Sequence, residues 1–286
     1  MWLPPLALLK MNNKILIFGK GFIGTRLKEE FNCASSGKKI LSLSDAENEI
    51  KKYKPKIIIN CIGTSGRDVD DCELDKDKTL LANSFVPVIL AETALLRKIK
   101  LVHISSGCIY HFDYNVQKPV TEEIAPDFYE LFYSRSKIYS ERAVEVLAKQ
   151  YNMLIIRIRI PLDDRPHPKN LLNKLIKYGK VITTPNSITY IPDFINALKH
   201  LLRIDASGIY NIVNNPPLRY PDLMEAYRGL VPDFRYKTID FKDLKLVRTN
   251  LVLSAKKLEK SGFKMRNMKK VLKDCIPAYI QNSRIF

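Results

Sequence analysis

The chain has 286 residues, enough for one large domain or two modest ones, and it can bury a core without help from disulfides or metals. Hydrophobic residues make up 46% and charged residues 27%, which excludes a largely disordered or collagen-like chain; no run of the sequence approaches the roughly 20 apolar residues of a membrane helix. The formal net charge of +17 suits a polyanionic partner, whether nucleic acid, an anionic membrane surface or phosphorylated small molecules.

The basic residues are spread over both halves, which reads as a solvated surface; no basic stripe with interleaved aromatics marks a nucleic-acid footprint, and no membrane association is expected. The five cysteines, Cys33, Cys61, Cys72, Cys108 and Cys275, are scattered without a CxxC pair. They indicate neither a disulfide framework nor a metal site, so reduced thiols and a cytoplasmic setting are expected. Residues 1–10 resemble a signal peptide only superficially. They lack a basic start and a small-residue cleavage site, and read as an N-terminal extension before Met11.

In chain order, residues 14–18 form an almost wholly apolar run ending at glycine, which predicts a buried parallel strand. A helix follows over 22–31. Further strands are predicted over 39–43, 56–60, 101–104 and 154–158, with helices over 78–97 and 134–151 between them. Alternating strands and helices imply an α/β fold, a Rossmann-type doubly wound parallel sheet. The later part is more mixed: helices over 170–178, 192–203 and 221–229, and a strand over 208–212. Residues 12–160 are expected to form a cofactor-binding domain. Residues 161–286 are expected to form mostly a smaller substrate-binding domain, with some elements returning to the first sheet, over a cleft at the strand C-termini.

Gly19-Lys20-Gly21-Phe22-Ile23-Gly24 lies between the first strand and first helix. In that context G-x-G-x-x-G points to a dinucleotide: the glycines permit a tight turn, close approach of backbone to a pyrophosphate, and close helix–strand packing. No acidic residue follows to grip an adenosine ribose. Ser35-Ser36-Gly37-Lys38-Lys39 stands there instead, and Ser36 and Lys38 suit the 2′-phosphate of NADPH; the competing reading of the lysines is a solvated pair in a turn.

The fourth strand runs into Ser105-Ser106-Gly107-Cys108, and Tyr133 and Lys137 follow at helical i, i+4 spacing. An ammonium beside a phenol stabilises phenolate, letting tyrosine exchange a proton with a carbonyl or alcohol oxygen near neutral pH. A strand-ending Ser106 hydroxyl suits the same oxygen. By residue type alone, Cys108 reads as a small buried apolar residue, and Lys174, beside Leu171, Leu172 and Leu175, as the wet face of a helix.

The glycine turn, Ser106, Tyr133 and Lys137 resemble the extended short-chain dehydrogenase/reductase superfamily. Asn60-Cys61-Ile62-Gly63, Asn83 and Glu141 support the resemblance, although that superfamily usually places two residues, not Lys20 alone, between its first two glycines. Longer stretches are similar to the plant-type bifunctional nucleotide-rhamnose 3,5-epimerase/4-reductases: 63–67 with Val69 and Asp70, 106–110, 157–161, 170–174, 185–189 and 208–211, over about residues 14–275. This resemblance implies binding of NADPH by Gly19 to Gly24, Ser36, Lys38, Cys61, Ile62, Gly63, Asn83, Tyr133 and Lys137. It implies substrate contacts from Arg67 and Asn170. It makes Cys108 the base and Lys174 the acid that invert C3 and C5 of a UDP- or dTDP-4-keto-6-deoxyglucose, with Ser106, Tyr133 and Lys137 serving reduction at C4. A homodimer is expected, and no metal. Two narrower readings remain, a 4-reductase without epimerase activity and a non-catalytic NADP-binding regulatory subunit; intact Ser106, Tyr133 and Lys137 speak against the second.

Overall fold

The computed structural model describes residues 14–283, so the expected extension at 1–10 lies outside the described residues. The chain divides into two compact units. The first holds the chain through Ser105, with Tyr129–Ile156 and Ala206–Ile209; the second holds Ser106–Phe128, Arg157–Asp205 and the chain from Tyr210 onward. The division therefore does not fall at residue 160: the segment after the fourth strand joins the second unit, and a short stretch near 208 returns to the first.

The first unit is built on a six-stranded sheet in the order β2-β1-β3-β4-β5-β9. Its strands are β1 (Ile15–Phe18), β2 (Ala34–Ser36), β3 (Ile57–Asn60), β4 (Lys100–Ser106), β5 (Met153–Ile158) and β9 (Gly208–Ile212). β1 pairs in parallel with β2 and β3, and β3 with β4. All four residues of β1 are buried, as expected for a strand covered by helices on both faces. The helices are α1 (Phe22–Phe31), α2 (Leu43–Tyr53), α3 (Lys76–Arg97) and α4 (Phe132–Ala148). One core joins Leu16, Phe18, Ile58, Leu101 and Ile155 of the sheet to Ala46 and Ile50 of α2, Leu90 and Ala94 of α3, and Val144 of α4.

Two sequence expectations are corrected here. The second strand is not 39–43 but Ala34–Ser36, paired Leu16 to Ala34 and Phe18 to Ser36. Residues 39–43 lose to a helix start. Ser42 is the N-cap of α2, its hydroxyl accepting from the Asp45 backbone N–H at 3.2 Å, and Leu41 is left 55% exposed. A satisfied cap outweighs a short apolar run. Second, α3 is long and apolar enough to cross a membrane by length and composition, although half of its most apolar window is buried in the protein, as in a core helix. It contains a π-helical turn, Leu81–Phe85.

The second unit carries a three-stranded sheet, β10-β8-β6, and a two-stranded one, β11-β7. The strands are β6 (Pro161–Leu162), β7 (Lys180–Ile182), β8 (Asn186–Tyr190), β10 (Asn214–Leu218) and β11 (Lys237–Ile239). Its helices include α5 (Leu171–Tyr178), α6 (Ile191–Arg203), α7 (Tyr220–Arg228) and α8 (Met268–Ser283). Leu172, Leu175, Ile188, Tyr190, Leu223, Val271 and Ile276 belong to its core.

Candidate active site

In the first unit the order β2-β1-β3 places the switch in winding direction between β1 and β3, where open α/β sheets take nucleotides. The glycine turn leaves β1 at that point. Gly19 has φ +103°, a left-handed conformation, and a side chain there would stand 2.8 Å from the Cys61 backbone. A Cβ on Gly24 would lie 2.1 Å from the Gly19 carbonyl oxygen; only glycine lets α1 start so close to the turn. A Cβ on Gly21 would meet nothing within 4 Å, and Gly21 is the N-cap of α1 without a side-chain cap. Bare backbone at a helix N-terminus is the arrangement that holds a pyrophosphate. Phe22 and Ile23 form the first turn of that helix.

Because β2 ends at Ser36, Ser36 and Gly37 stand where a dinucleotide-binding sheet meets the adenosine ribose. Ser36 Oγ accepts from the Lys38 backbone N–H at 3.1 Å. The Lys20 ammonium lies over Gly37, where a Cβ would be 3.0 Å from its Nζ. Lys20, expected only as part of the turn, thus adds a cation beside Ser36 and Lys38. Ammoniums and a hydroxyl at this point, with no carboxylate on β2, fit the 2′-phosphate of NADPH.

The loop after β3 supplies the other wall. Asn60 Oδ1 accepts from the Ile62 N–H at 2.9 Å, and its amide donates to His103 Nδ1 at 3.1 Å. Burial pushes His103 down to about 3, with the Lys137 charge adding to the shift, so the ring is neutral and its Nδ1 accepts. Cys61 packs beneath the glycine turn, and burial pushes its thiol up to about 12; it contributes shape rather than charge. Gly63 leaves room for Lys137, whose Nζ would be 3.0 Å from a Cβ there. Asn83 sits in the π-helical turn, with Oδ1 accepting from Thr64 N–H at 2.7 Å and Nδ2 donating to Thr64 O at 2.9 Å and Ser136 Oγ at 3.0 Å. It clamps the loop after β3 to α4. Lys137 is 5% exposed and Tyr133 half-buried, one turn apart on α4. Glu141 of α4 accepts from buried Ser105 at 2.7 Å, anchoring the helix to β4. Glu73, which the sequence did not single out, accepts from the Phe132 N–H at 2.5 Å and caps α4. Arg67 is exposed, its Nε 3.3 Å from Asp71, beside a hollow of the first unit lined also by Thr64, Cys72 and Lys78.

In the second unit Ser106 ends β4, and its Oγ accepts from the Cys108 N–H at 3.1 Å. A Cβ on Gly107 would lie 2.6 Å from Leu253 Cδ1, so a larger residue there would require the buried Leu253 side chain to shift. Cys108 is half-buried, and Arg159 Nη1 donates to its Sγ. Arg159 is 1% exposed. Its Nε donates to Asn186 Oδ1 at 3.2 Å, Nη1 to Thr249 Oγ1 at 2.9 Å and Nη2 to Thr249 O at 2.6 Å. In the sequence this arginine stands out only as part of the 157–161 stretch. The signal that could have found it is a pair of alternating arginines, Arg157 in β5 and Arg159 just past its end, after an otherwise apolar run. Lys174 lies half-buried on α5. Asn170 is corrected: it is wholly buried and caps α5, with Oδ1 accepting from Leu172 and Asp163 N–H and Nδ2 donating to Asp163 O and Arg165 O. Those bonds use both ends of its amide, leaving it a brace for the 163–170 loop rather than a substrate contact.

A parallel sheet with a glycine turn at its switch point and a Tyr-Lys pair on the helix after β4 defines a Rossmann-type short-chain dehydrogenase/reductase. Residues 13–189 match the family described as the RmlD substrate binding domain; the chain belongs to that family. It is 30% identical over 238 residues to the Arabidopsis thaliana bifunctional dTDP-4-dehydrorhamnose 3,5-epimerase/dTDP-4-dehydrorhamnose reductase, covering 78% of this chain and 77% of that protein. It is 28% identical over 283 residues to the trifunctional UDP-glucose 4,6-dehydratase/UDP-4-keto-6-deoxy-D-glucose 3,5-epimerase/UDP-4-keto-L-rhamnose-reductase RHM1 of the same plant, covering 92% of this chain. The chain spans about two fifths of the length of that relative. Its fold is similar to the L780 UDP-rhamnose synthase of Acanthamoeba polyphaga mimivirus, with TM-score 0.85, 22% identity, and 92% and 98% of the two chains covered. It is also similar to a Bacillus anthracis dTDP-4-dehydrorhamnose reductase solved with NADP, with TM-score 0.77, 20% identity, and 91% and 97% covered.

Proposed function

We propose that this protein is an NADPH-dependent reductase of nucleotide 4-keto-6-deoxyhexoses, in the formation of nucleotide-L-rhamnose, and that it also inverts C3 and C5 before reduction. The observation that carries the reading is the identity to the bifunctional plant epimerase/reductase across more than three quarters of both chains, with Ser106, Cys108, Tyr133, Lys137 and Lys174 all present.

The glycine turn with Ser36, Lys20 and Lys38 would hold NADPH, which when bound would supply a hydride for C4. Tyr133 gives its phenolic proton to the C4 oxygen as that oxygen becomes an alcohol, and Lys137 supports the charge left on the phenol. Ser106 holds the same oxygen by hydrogen bonding. Before that, Cys108 removes the C–H proton next to the ketone and Lys174 delivers one from the opposite side, the enolate charge resting on the C4 oxygen. The reading assigns Arg67, which is exposed, to the nucleotide phosphates.

The reading also includes a homodimer through α3 and α4, supported by the exposed Phe85, Leu96, Tyr139 and Val146 on those helices, which light scattering tests. The enzymatic test is incubation with UDP- or dTDP-4-keto-6-deoxyglucose and NADPH in D2O. Rhamnose product carrying deuterium at C3 and C5 supports both activities. Reduction of pre-formed 4-keto-rhamnose alone, without exchange, leaves a 4-reductase supplied by a separate epimerase. Tyr133→Phe should abolish NADPH oxidation while still binding the cofactor.

A further inference from the structure

Arg159 is an almost fully buried guanidinium at 1% exposure. Among the described residues no carboxylate is paired with it; the acceptors around it are the Asn186 amide oxygen, the Thr249 hydroxyl and carbonyl, and the Cys108 sulfur. Three of these four are neutral and stay neutral. A buried cation without a counter-charge is strongly disfavoured, and an arginine keeps its charge at every working pH. Cys108 is the one partner that can become an anion. The surroundings hold the guanidinium fork still: Thr249 takes both terminal nitrogens, Asn186 takes Nε, and the Asn186 oxygen is itself fixed by the Leu251 N–H at 3.3 Å. Nη1 is thereby aimed at the sulfur. Two ionisable groups from neighbouring elements face this pair: Tyr220 of α7, pushed by burial up to about 12, and Tyr114, also pushed up by burial. Both are neutral phenols near neutral pH, so neither competes with the sulfur for the arginine's charge.

We infer that Arg159 is a positioning residue for epimerisation: it supplies the fixed positive charge against which Cys108 works as a thiolate base. The inference rests on the epimerase reading of Cys108 above. In the step itself, the thiolate takes the C–H proton next to the ketone and becomes a thiol, and the electron pair moves onto the ketone oxygen as enolate. The Lys174 ammonium then protonates the opposite face and becomes an amine. The thiol returns its proton to solvent and the amine regains one. The negative charge beside Arg159 is thus present before the step and moves to the substrate during it. A charge-assisted hydrogen bond from a fork locked in place stabilises the thiolate and orients its lone pair.

The test compares the full chain with Arg159→Gln, Arg159→Lys and Asn186→Asp. Asn186→Asp preserves size and leaves Arg159 in place but gives it a permanent carboxylate partner, so it is informative even if Arg159→Gln does not fold. The readout is the rate of iodoacetamide alkylation at Cys108, followed by peptide mass across pH 5–10, with deuterium exchange into the 4-keto sugar measured in parallel. Asn186→Asp and Arg159→Gln should slow Cys108 alkylation at pH 7 about tenfold or more, with the alkylation profile moved toward alkali. Arg159→Lys should recover part of the loss. Folded Asn186→Asp and Arg159→Gln proteins alkylated with the wild-type rate and profile would overturn the inference. An arginine-dependent profile in a wild-type protein that exchanges no deuterium would uphold the Arg159–Cys108 pairing and remove the epimerase reading. Wild-type exchange with an arginine-independent profile would do the reverse.

Discussion

Replacing Gly24 by alanine puts one methyl group into the glycine turn proposed to hold the cofactor. The new Cβ would stand 3.0 Å from the Gly19 carbonyl carbon and 2.1 Å from its oxygen, the latter more than 1 Å inside the roughly 3.5 Å of a favourable contact. The obstacle is backbone, so no side-chain rotation relieves it. Gly19 cannot retreat either: its N–H is bonded to Ser36 O at 3.2 Å, and its own Cβ position is 2.8 Å from the Cys61 backbone. The expected cost is therefore at the upper end of overpacking changes, about 3 kcal/mol, or a fall of roughly 6–12 °C in melting temperature for a chain of this size. NADPH affinity should fall with it, because α1 is pushed away from β1. Gly21→Ala is the matched comparison. Its Cβ meets nothing within 4 Å, so stability should change by less than about 1 kcal/mol, yet the methyl group enters the space above the helix N-terminus and should weaken NADPH binding at least about tenfold. Thermal melting and calorimetric titration of both variants decide the matter. A Gly24→Ala protein with wild-type melting, or a Gly21→Ala protein with wild-type affinity, would refute the reasoning.

Three further outcomes follow from the same geometry. NADPH should bind at least about tenfold more tightly than NADH, and Lys38→Glu, especially combined with Lys20→Ala, should remove that preference by placing a carboxylate where a 2′-phosphate would lie; titration of both cofactors checks it. His103 has its pKa depressed by burial from 6.5 to about 3. Its neutral form therefore stabilises the folded protein fully above pH 6.5, and that contribution is lost as pH falls toward the folded value. Urea denaturation should show about 2 kcal/mol less stability at pH 5 than at pH 6.5 from this residue alone, and a folded His103→Gln protein should lack that part of the pH dependence. Asn170→Ala removes a helix cap and the amide that ties Asp163 and Arg165 to it; about 3 kcal/mol of stability should go. Were Asn170 instead a substrate contact, KM would rise with little change in urea midpoint.

Much of the first unit was legible in the residues because its signals are local. The apolar run at Ile15–Phe18, the glycines that follow and the i, i+4 pair Tyr133 and Lys137 each state their conformation within a few positions. The glycine turn was interpretable despite its single intervening Lys20, since the requirement for Gly19 and Gly24 comes from backbone that passes within 3 Å. Legibility failed where two local signals competed. Residues 39–43 read as a strand until the Ser42 cap made them the start of α2, and that shift is what brings Ser36 to the end of a strand. It failed differently for Asn170, whose polarity is the same whether it faces a ligand or braces a loop.

The sequence by itself determined the class of sheet, the position of the glycine turn and the i, i+4 placement of Tyr133 and Lys137 on one helix, because strand and helix periodicity and glycine's freedom are properties of neighbouring positions. What only the tertiary structure decided is which distant side chains meet: Lys20 over Gly37, Asn83 on Thr64 and Ser136, and Arg159 on Cys108 and Thr249. These residues are separated by 17 to 90 positions, and nothing along the chain encodes their approach. It arises when parallel strands, joined by long crossovers, stack side by side and bring the ends of separate segments into one layer.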